Sequence, residues 1–400
     1  MLTENKKRRC DMEQLIRIPR EEYKVRWEAV RNVMKENDLD VILAYSDDRA
    51  THGNAYARYY SDLPTHFEPV IVMFVQDADP VLLTGPETDG YAQEVGVIQE
   101  LKVLQEMAPE DEDYPFSVIE PFAKVLADLV PHKIQKIGLA GKVYMGAELY
   151  ESIMKACEGI EIVDADRLIG SLRGIKSPAE IAVIRRAYEI TNIGMKAAID
   201  AIKPGVTERA VAAEAEYAMR KAGAEGYGID TMIASGPNTK HIISRTTNRV
   251  IQENDVVVIT VAPRYEGYHG ACGRPVFLGT PDEKDWEAAV AMEKAQNLCA
   301  SNLLVGNVGC EVEALGRAVM KEAGYEKNFM YSGLHSIGVI EFEPPILGPS
   351  SNTVIEKDMV ISIDIPLYEA DINGMRMEDG YLITENGPER LTDAPWLIRK

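Results

Sequence analysis

Two segments of equal length repeat in the second half of the chain, and this repeat constrains the possible fold more than any other feature. Gly205–Gly223 and Gly306–Gly324 agree at glycine, valine, alanine and methionine positions, and each ends in a glycine typical of a helix end. Each segment precedes a block of strand-like sequence. Two αβ halves related by a pseudo-two-fold axis would bring strands from both halves to one central cleft. The alternative is a coincidental similarity between two amphipathic helices.

The N-terminal part of the chain alternates helical and strand patterns. Apolar residues of Glu21–Asn37 recur at helical spacing, and short apolar runs follow at Val41–Tyr45, Val70–Val75 and Pro80–Thr84. An alternation of this kind is typical of an α/β domain, in which helices cover a sheet.

A helix start marks the boundary with the next domain. Ser177 can cap a first turn, and Pro178 suits the first helical position. We therefore predict an α/β N-terminal domain over residues 1–170 and a second domain over residues 171–400, in keeping with the usual size of domains.

Composition argues against several classes of partner. The chain has 400 residues, 46% of them hydrophobic, and a net charge of -21, which disfavours binding to nucleic acid or to an anionic membrane surface. The basic cluster Lys6–Arg9 is interpreted as a solvated tail. Five widely spaced cysteines without a CxxC pair fit a reducing compartment, and no apolar run is long enough to span a bilayer. We expect a cytoplasmic protein with a small-molecule substrate.

Four patches of the second domain carry a family resemblance. They are Ala234–Val250, Asp255–Gly279, Gly333–Pro345 and Asp358–Thr384, and their order and spacing resemble the creatinase, prolidase and methionine aminopeptidase superfamily. The resemblance covers nearly the whole chain, since Tyr59–Leu63 (YYSDL) is similar to a segment of creatinase. It implies an α/β N-terminal domain followed by an α+β "pita-bread" domain with an internal pseudo-two-fold repeat.

The same resemblance bears on metal binding. In the metallopeptidase members, two aspartates, a histidine and two glutamates hold two divalent ions. On this chain the aspartates fall at Thr260 and Ala271, the histidine is kept as His335, and the glutamates correspond to Asp364 and Glu378. A methyl group cannot bind a metal, and a threonine hydroxyl is a poor ligand for a transition ion. The resemblance therefore predicts no dinuclear metal centre and no cofactor, and it points to creatinase, the branch that cleaves a C–N bond without metal.

Three residues are predicted to be catalytic from the resemblance. His241 lies close to the position of a histidine that handles substrate protons, and an ordinary histidine pKa suits a general base and acid. His335 could hydrogen-bond a substrate carbonyl or carboxylate, and Glu378 could orient a water or bind a cationic nitrogen. The alternative for His241 is an exposed position on a surface loop.

Further residues are predicted to contact the substrate. If Tyr268–Phe277 is an extended strand, His269 shares a face with Ala271, which occupies a ligand position, so it should point into the cleft. Glu343 and Asp364 would complete an acidic lining, with purely structural salt bridges as the alternative. The predicted substrate-binding residues are His269, Glu343, Asp364, Arg376, Phe67 and Glu68.

The last two of these residues come from the N-terminal domain. They lie where creatinase places an aromatic residue and an arginine that reach into the site of the partner subunit. An acid at Glu68 would attract a cationic or amide end of the substrate. The resemblance also implies a homodimer in which the N-terminal domain of one subunit closes the site of the other.

The expected function is metal-independent hydrolysis of an amidine or amide C–N bond in a small nitrogen-containing metabolite. One alternative is an Xaa-Pro dipeptidase or aminopeptidase with a degenerate metal site, which would need an ion at His335, Asp364 and Glu378. Against a peptidase, Phe342 replaces a histidine that peptidase relatives often carry. A second alternative is a non-catalytic relative that binds a ligand or partner through the cleft.

Overall fold

A computed structural model describes residues 15–49, 51–109 and 113–400. The predicted solvated tail Lys6–Arg9 lies outside the described residues. Within them, the chain forms an α/β N-terminal region followed by an α+β C-terminal region, so the predicted fold class is confirmed. No helix of the described ranges is long and apolar enough to cross a membrane.

The N-terminal region is built on a seven-stranded mixed sheet. Its interior strand Val41–Ser46 pairs antiparallel with one neighbour and parallel with the other, and it is buried along its whole length. Strands buried on both faces read as continuous apolar runs, which is why they were recognisable in the sequence. In spatial order the strands are Ile119–Glu120, Glu100–Leu104, Val81–Thr84, Val70–Val75, Val41–Ser46, Lys136–Ala140 and Glu161–Asp164. The helices of this region are Arg20–Glu36, Ala55–Ser61, Asp89–Val95, Phe122–Leu129, Ala147–Ala156 and Asp166–Gly170.

The C-terminal region is built on a nine-stranded sheet. Its main path runs through Glu343–Ile346, Leu334–Ser336, Val360–Leu367, Met375–Thr384, Cys272–Phe277, Val256–Val261 and Met232–Ser235. Two further strands pair with inner strands of this path, Gly387–Arg390 with Met375–Thr384 and Ile398–Arg399 with Cys272–Phe277. A separate small sheet contains Tyr268–His269, Pro263–Tyr265 and Gly226–Tyr227. The helices are Pro178–Ala201, Glu208–Lys221, Glu283–Asn302 and Gly309–Glu322.

The predicted start of the helix Pro178–Ala201 is confirmed. The Ser177 hydroxyl accepts a hydrogen bond from the backbone N–H of Glu180 at 3.1 Å, and the Glu180 carboxylate accepts one from the Ser177 N–H at 2.9 Å. This reciprocal capping box satisfies two backbone donors that would otherwise lack partners at the helix start.

The internal repeat is also confirmed. In each half, a long helix is followed by a 14-residue helix, and the residue just before that second helix pairs with a later segment of its own half. These two equivalent bridges join Thr207 to Val250 and Val308 to Val354. The two halves meet in the nine-stranded sheet, where Gly273 of the first half lies opposite Glu378 of the second. Strands of both halves therefore meet at the centre of one sheet, as the repeat predicted.

Candidate functional site

A cavity of about 1250 Å³ opens over the centre of the C-terminal sheet. Its polar residues from this sheet and the adjoining loop are His335, Glu341, Asp364 and Arg376. The N-terminal region contributes Thr51 and His52, and an apolar wall is formed by Ile229, Met232, Ile242 and Phe342. The cavity thus brings charged groups together with an apolar surface, as sites for small organic ligands commonly do.

Two acids face each other on neighbouring strands of the sheet. Asp364 lies directly opposite Glu378 across the antiparallel pair formed by Val360–Leu367 and Met375–Thr384. Arg376 precedes Glu378 by two positions, so alternation puts both side chains on one face. Gly273 makes room for them, since a Cβ atom there would lie 2.6 Å from Arg376 Cγ.

In each of the two facing acids, one carboxylate oxygen has a hydrogen-bond partner and the other has none. Glu378 Oε1 accepts a hydrogen bond from the Ser362 hydroxyl at 3.0 Å, whereas Glu378 Oε2 is buried without a partner. Asp364 Oδ2 accepts one from the Tyr331 hydroxyl at 2.7 Å and lies 3.3 Å from Arg376. Asp364 Oδ1 is buried without a partner. Buried polar atoms without partners are rare in proteins and point to a missing ligand or water.

His335 is fixed by its neighbours. Its Nδ1 lies 3.0 Å from the Ser336 carbonyl oxygen, which favours the proton on Nδ1 and leaves Nε2 as an acceptor or ligand. The Phe342 ring lies over the imidazole, with 4.2 Å between the ring centroids. The aromatic residue that replaces the expected histidine therefore holds His335 in place.

One group of side chains in the described ranges could hold a metal ion. It consists of His335, Glu341 and Glu378, whose ligand atoms all lie within 4.8 Å of one another. Two ions would need five such residues, and neither Thr260 nor Ala271, both buried in the sheet region, offers a carboxylate. The described residues consequently do not fit a two-ion centre.

Burial controls the ionisation of this site. It raises the pKa of Glu341 to about 7, with Arg376 opposing and Asp364 adding to the rise. The pKa of Glu378 is raised well above its usual range by burial, and by the charges of Asp364 and Glu341. The pKa of His335 is lowered to about 4, again by burial. Without a cationic ligand, the site therefore favours neutral side chains.

Three of the predicted site residues, His335, Asp364 and Arg376, line the cavity, and a fourth, Glu378, lies directly opposite Asp364 on the neighbouring strand. His269 is buried, with its Nδ1 at 3.1 Å from the Gly338 carbonyl oxygen and its Nε2 without a partner. Burial lowers the pKa of His269 to about 3, and the charge of Arg264 adds to this effect. His269 does not appear among the residues that line the cavity.

His241 is not brought to the cavity. It follows the short 3-10 turn Gly236–Lys240, and its exposed ring lies 2.6 Å from a carboxylate oxygen of Glu369 through Nδ1. The next two residues, Ile242 and Ile243, line the cavity instead. The chain turns so that the histidine faces outward, which is the surface-loop alternative.

Glu343 is used for structure. It is fully buried and forms ion pairs with Arg173 Nε at 3.0 Å and Lys176 Nζ at 3.2 Å. These contacts join the segment between the two regions to the edge of the C-terminal sheet. Glu343 therefore forms structural salt bridges, the alternative to the predicted acidic lining.

Phe67 and Glu68 lie away from this cavity. Glu68 is 4% exposed, and its carboxylate accepts hydrogen bonds from the backbone N–H groups of Glu87 and Thr88, just before the helix Asp89–Val95. This carboxylate is thus occupied within its own domain. Phe67 is 65% exposed and lines a second cavity of about 990 Å³.

Two residues of the cavity were missed by the sequence analysis. Glu341 lies in an irregular loop beside Phe342, where the alternation of a strand gives no guide to direction. His52 lies in a loop after the first strand, and burial lowers its pKa. The only sequence signal for Glu341 is its place next to the substituted histidine position.

Two family models match the chain. The creatinase/prolidase N-terminal domain matches residues 26–175, and metallopeptidase family M24 matches residues 182–385. The chain belongs to metallopeptidase family M24. The Xaa-Pro dipeptidase of Pyrococcus horikoshii is 32% identical over 329 residues, which cover 80% of this chain and 90% of the relative. That of Lactobacillus delbrueckii subsp. lactis is 26% identical over 367 residues, covering 90% and 94%.

Solved structures agree with this assignment. A prolidase from Pyrococcus horikoshii OT3 superimposes with a TM-score of 0.79 at 27% identity, covering 92% of this chain and 98% of that one. An Xaa-Pro dipeptidase from Bacillus anthracis gives a TM-score of 0.79 at 25% identity, covering 94% and 100%.

These relatives correct the expected function. The superfamily is confirmed, as is the expectation of an enzyme that hydrolyses C–N bonds. The placement in the metal-free creatinase-like branch is not supported, and the prediction of metal-independent amidine hydrolysis is contradicted, because the matched relatives are Xaa-Pro dipeptidases of a metallopeptidase family. The prediction gave too much weight to the two missing aspartates.

Proposed function

We propose that the protein hydrolyses short peptides of the Xaa-Pro type, and that its metal site holds fewer than the two ions of the metallopeptidase members. The observation that carries this proposal is the grouping of His335 and Asp364 at one cavity, with Glu378 directly opposite Asp364 on the neighbouring strand, in a fold shared with prolidases. The names of the similar proteins, Xaa-Pro dipeptidase and prolidase, support the substrate class.

The walls of the cavity suit a short peptide. The apolar residues Ile229, Met232 and Ile242 can accept an apolar side chain or a proline ring. Arg376 supplies a guanidinium with five N–H donors, of which its contacts with Asp364 and Tyr331 use only some. We assign to it the binding of a peptide carboxylate or carbonyl oxygen.

The chemistry needs polarisation of the peptide carbonyl and movement of a proton. A divalent ion, when bound, supplies a Lewis acid for the carbonyl. His52 lines the same cavity, and burial lowers its pKa, so its imidazole is neutral near pH 7. A neutral imidazole can accept a proton from an attacking water and return it to the leaving amine.

The test is release of proline from Leu-Pro by purified protein, with Mn²⁺ or Zn²⁺ supplied and Leu-Gly and creatine as comparison substrates. We expect Leu-Pro to be cleaved with the highest kcat/KM. The His52→Ala variant should lose about 10²-fold or more in kcat, whereas His241→Ala, with an exposed ring outside the cavity, should retain wild-type turnover. Absence of proline release from folded, ion-supplied protein would overturn the proposed function.

A further inference from the structure

We propose that the protein binds one first-row divalent ion through His335, Glu341 and Glu378, with Glu341 supplying the second carboxylate ligand. Glu341 does not correspond to any of the five ligand positions of the two-ion members. The inference deepens the proposed function and rests on it for the role of the ion, but not for its binding.

The three side chains are close enough to share one ion. Their ligand atoms lie within 4.8 Å of one another. Zinc sites place nitrogen and oxygen ligands about 2.0–2.2 Å from the ion, so two ligands of one ion lie at most about 4.4 Å apart. Small inward movements of the side chains would therefore complete the site.

A buried atom without a partner lies in this group. Glu378 is 1% exposed, and its Oε2 has no hydrogen bond, although Ser362 holds Oε1. An acceptor buried without a donor costs free energy, and an ion would remove that cost.

The balance of charge among the buried side chains also favours a bound cation. Three acids lie close together here, Glu341, Asp364 and Glu378, and the cation that acts on them is Arg376. If all three are ionised, a net charge of about two negative units stays buried, which is highly unfavourable. A divalent ion matches that charge.

Asp364 is less suited to hold the ion than Glu341. Its Oδ2 is already engaged by Tyr331 and Arg376, and neither of its oxygens joins the group within 4.8 Å. The expected single-ion set of His335, Asp364 and Glu378 is thus replaced by one in which Glu341 supplies the second carboxylate.

Gly228 makes the position of Glu341 possible. A Cβ atom at Gly228 would lie 2.9 Å from Glu341 Cβ and 2.6 Å from His269 Cδ2, so any larger residue would force a movement. A Gly228→Ala substitution therefore forces movement of His269 and Glu341 without changing any ligand atom.

The ligand set indicates the class of ion. One imidazole and two carboxylates suit Mn²⁺ and Zn²⁺, whereas Mg²⁺ and Ca²⁺ prefer oxygen ligands alone. We therefore expect binding of Mn²⁺ and Zn²⁺ to exceed binding of Mg²⁺.

The experiment is isothermal titration of chelator-treated full-length protein with Mn²⁺, Zn²⁺ and Mg²⁺ at pH 8, in the absence of substrate. Wild type should bind one equivalent of Mn²⁺ or Zn²⁺. The Glu341→Gln variant should lose more than the roughly 10–100-fold in affinity that loss of an outer-shell partner costs. Asp364→Asn is the matched control, since it removes a neighbouring buried acid outside the group, and should change affinity by about tenfold or less.

Circular dichroism and thermal melts establish that each variant is folded. If Glu341→Gln fails to fold, Glu341→Asp and Gly228→Ala take its place, and both should weaken binding. Two bound equivalents, no binding by wild type, unchanged binding by Glu341→Gln, or loss of binding in Asp364→Asn would each overturn the proposal. Because no substrate is present, failure here leaves the peptidase proposal to be decided by proline release alone.

Discussion

The carboxylate of Glu378 shares its surroundings with two other buried acids, and each of the three has its pKa raised by burial. Such groups destabilise the folded state when they ionise, unless a cation compensates. The arrangement costs stability in the free protein and favours a cationic ligand. A site of this kind is typical of function, since structure alone would be better served by apolar residues.

The buried histidine His269 gives a pH prediction at this scale. Its pKa is about 3 in the folded protein and near 6.5 in an unfolded chain, so between these values the unfolded state binds more protons. The neutral imidazole therefore stabilises the folded state fully above pH 6.5. As the pH falls toward 3 this contribution is lost, and the free energy of unfolding falls by up to about 1.4 kcal/mol per pH unit.

The His269→Gln variant tests this prediction, because an amide can still donate to the Gly338 carbonyl but does not titrate. We expect the free energy of unfolding of the wild type, minus that of the variant, to rise with pH between 3.5 and 6.5, roughly as one proton per molecule requires. Urea denaturation across this range measures it. The acids whose pKa values are raised have the opposite effect on stability, and they have it equally in both proteins. Free energies of unfolding that change with pH in parallel in the two proteins would therefore contradict the prediction.

At the scale of single elements, successive side chains of the strand Met375–Thr384 point to opposite faces of the sheet, so site residues and structural residues alternate along it. Glu378 shares a face of the strand with Arg376, which lines the cavity, and the next residue, Asp379, faces the other side of the sheet. There Asp379 forms an ion pair with Arg274 and accepts hydrogen bonds from Gln296 at 3.1 Å and Trp396 at 2.6 Å. The adjacent acids Glu378 and Asp379 thus comprise one site residue and one structural anchor.

Removal of this anchor should destabilise the protein strongly. Asp379→Ala leaves Arg274, which is fully buried, without its counter-charge, so we expect the free energy of unfolding to fall by about 3–5 kcal/mol. Urea denaturation with tryptophan fluorescence measures the change. The control is Glu385→Gln, an exposed partner of Lys357, which should alter stability by about 0.5 kcal/mol or less. Equal effects in the two variants would refute the assignment.

At the scale of the whole molecule, the N-terminal region closes part of the cavity within its own chain. Thr51 and His52 line it, and Arg26 of the first helix donates to the Tyr268 hydroxyl of the C-terminal region at 3.0 Å. The ion pairs of Glu343 with Arg173 and Lys176 add a second connection. The two regions therefore hold one site between them.

The homodimer stays a prediction, and Phe67 offers a way to examine it. Its ring lines the second cavity of this chain and is 65% exposed, so it is free to contact a partner subunit. We expect light scattering after size exclusion to give twice the mass of the 44.4 kDa chain. In the dimer, Phe67→Ala should raise KM for Leu-Pro and leave stability unchanged. A monomeric mass, or an unaltered KM in a stable dimer, would count against a role for Phe67 in the partner's site.

The sequence by itself determined the fold class and the internal repeat, and its resemblance to the superfamily pointed to His335, Asp364, Arg376 and Glu378. Periodicity, caps and alternation are local properties, and inside a regular strand they fix which face a side chain occupies. Only the tertiary structure decided which residues complete the site. Glu341 and His52 lie in irregular loops, where no periodicity sets direction, and they reach the cavity because distant segments pack there. For the same reason His241 turned outward and Glu343 became an anchor.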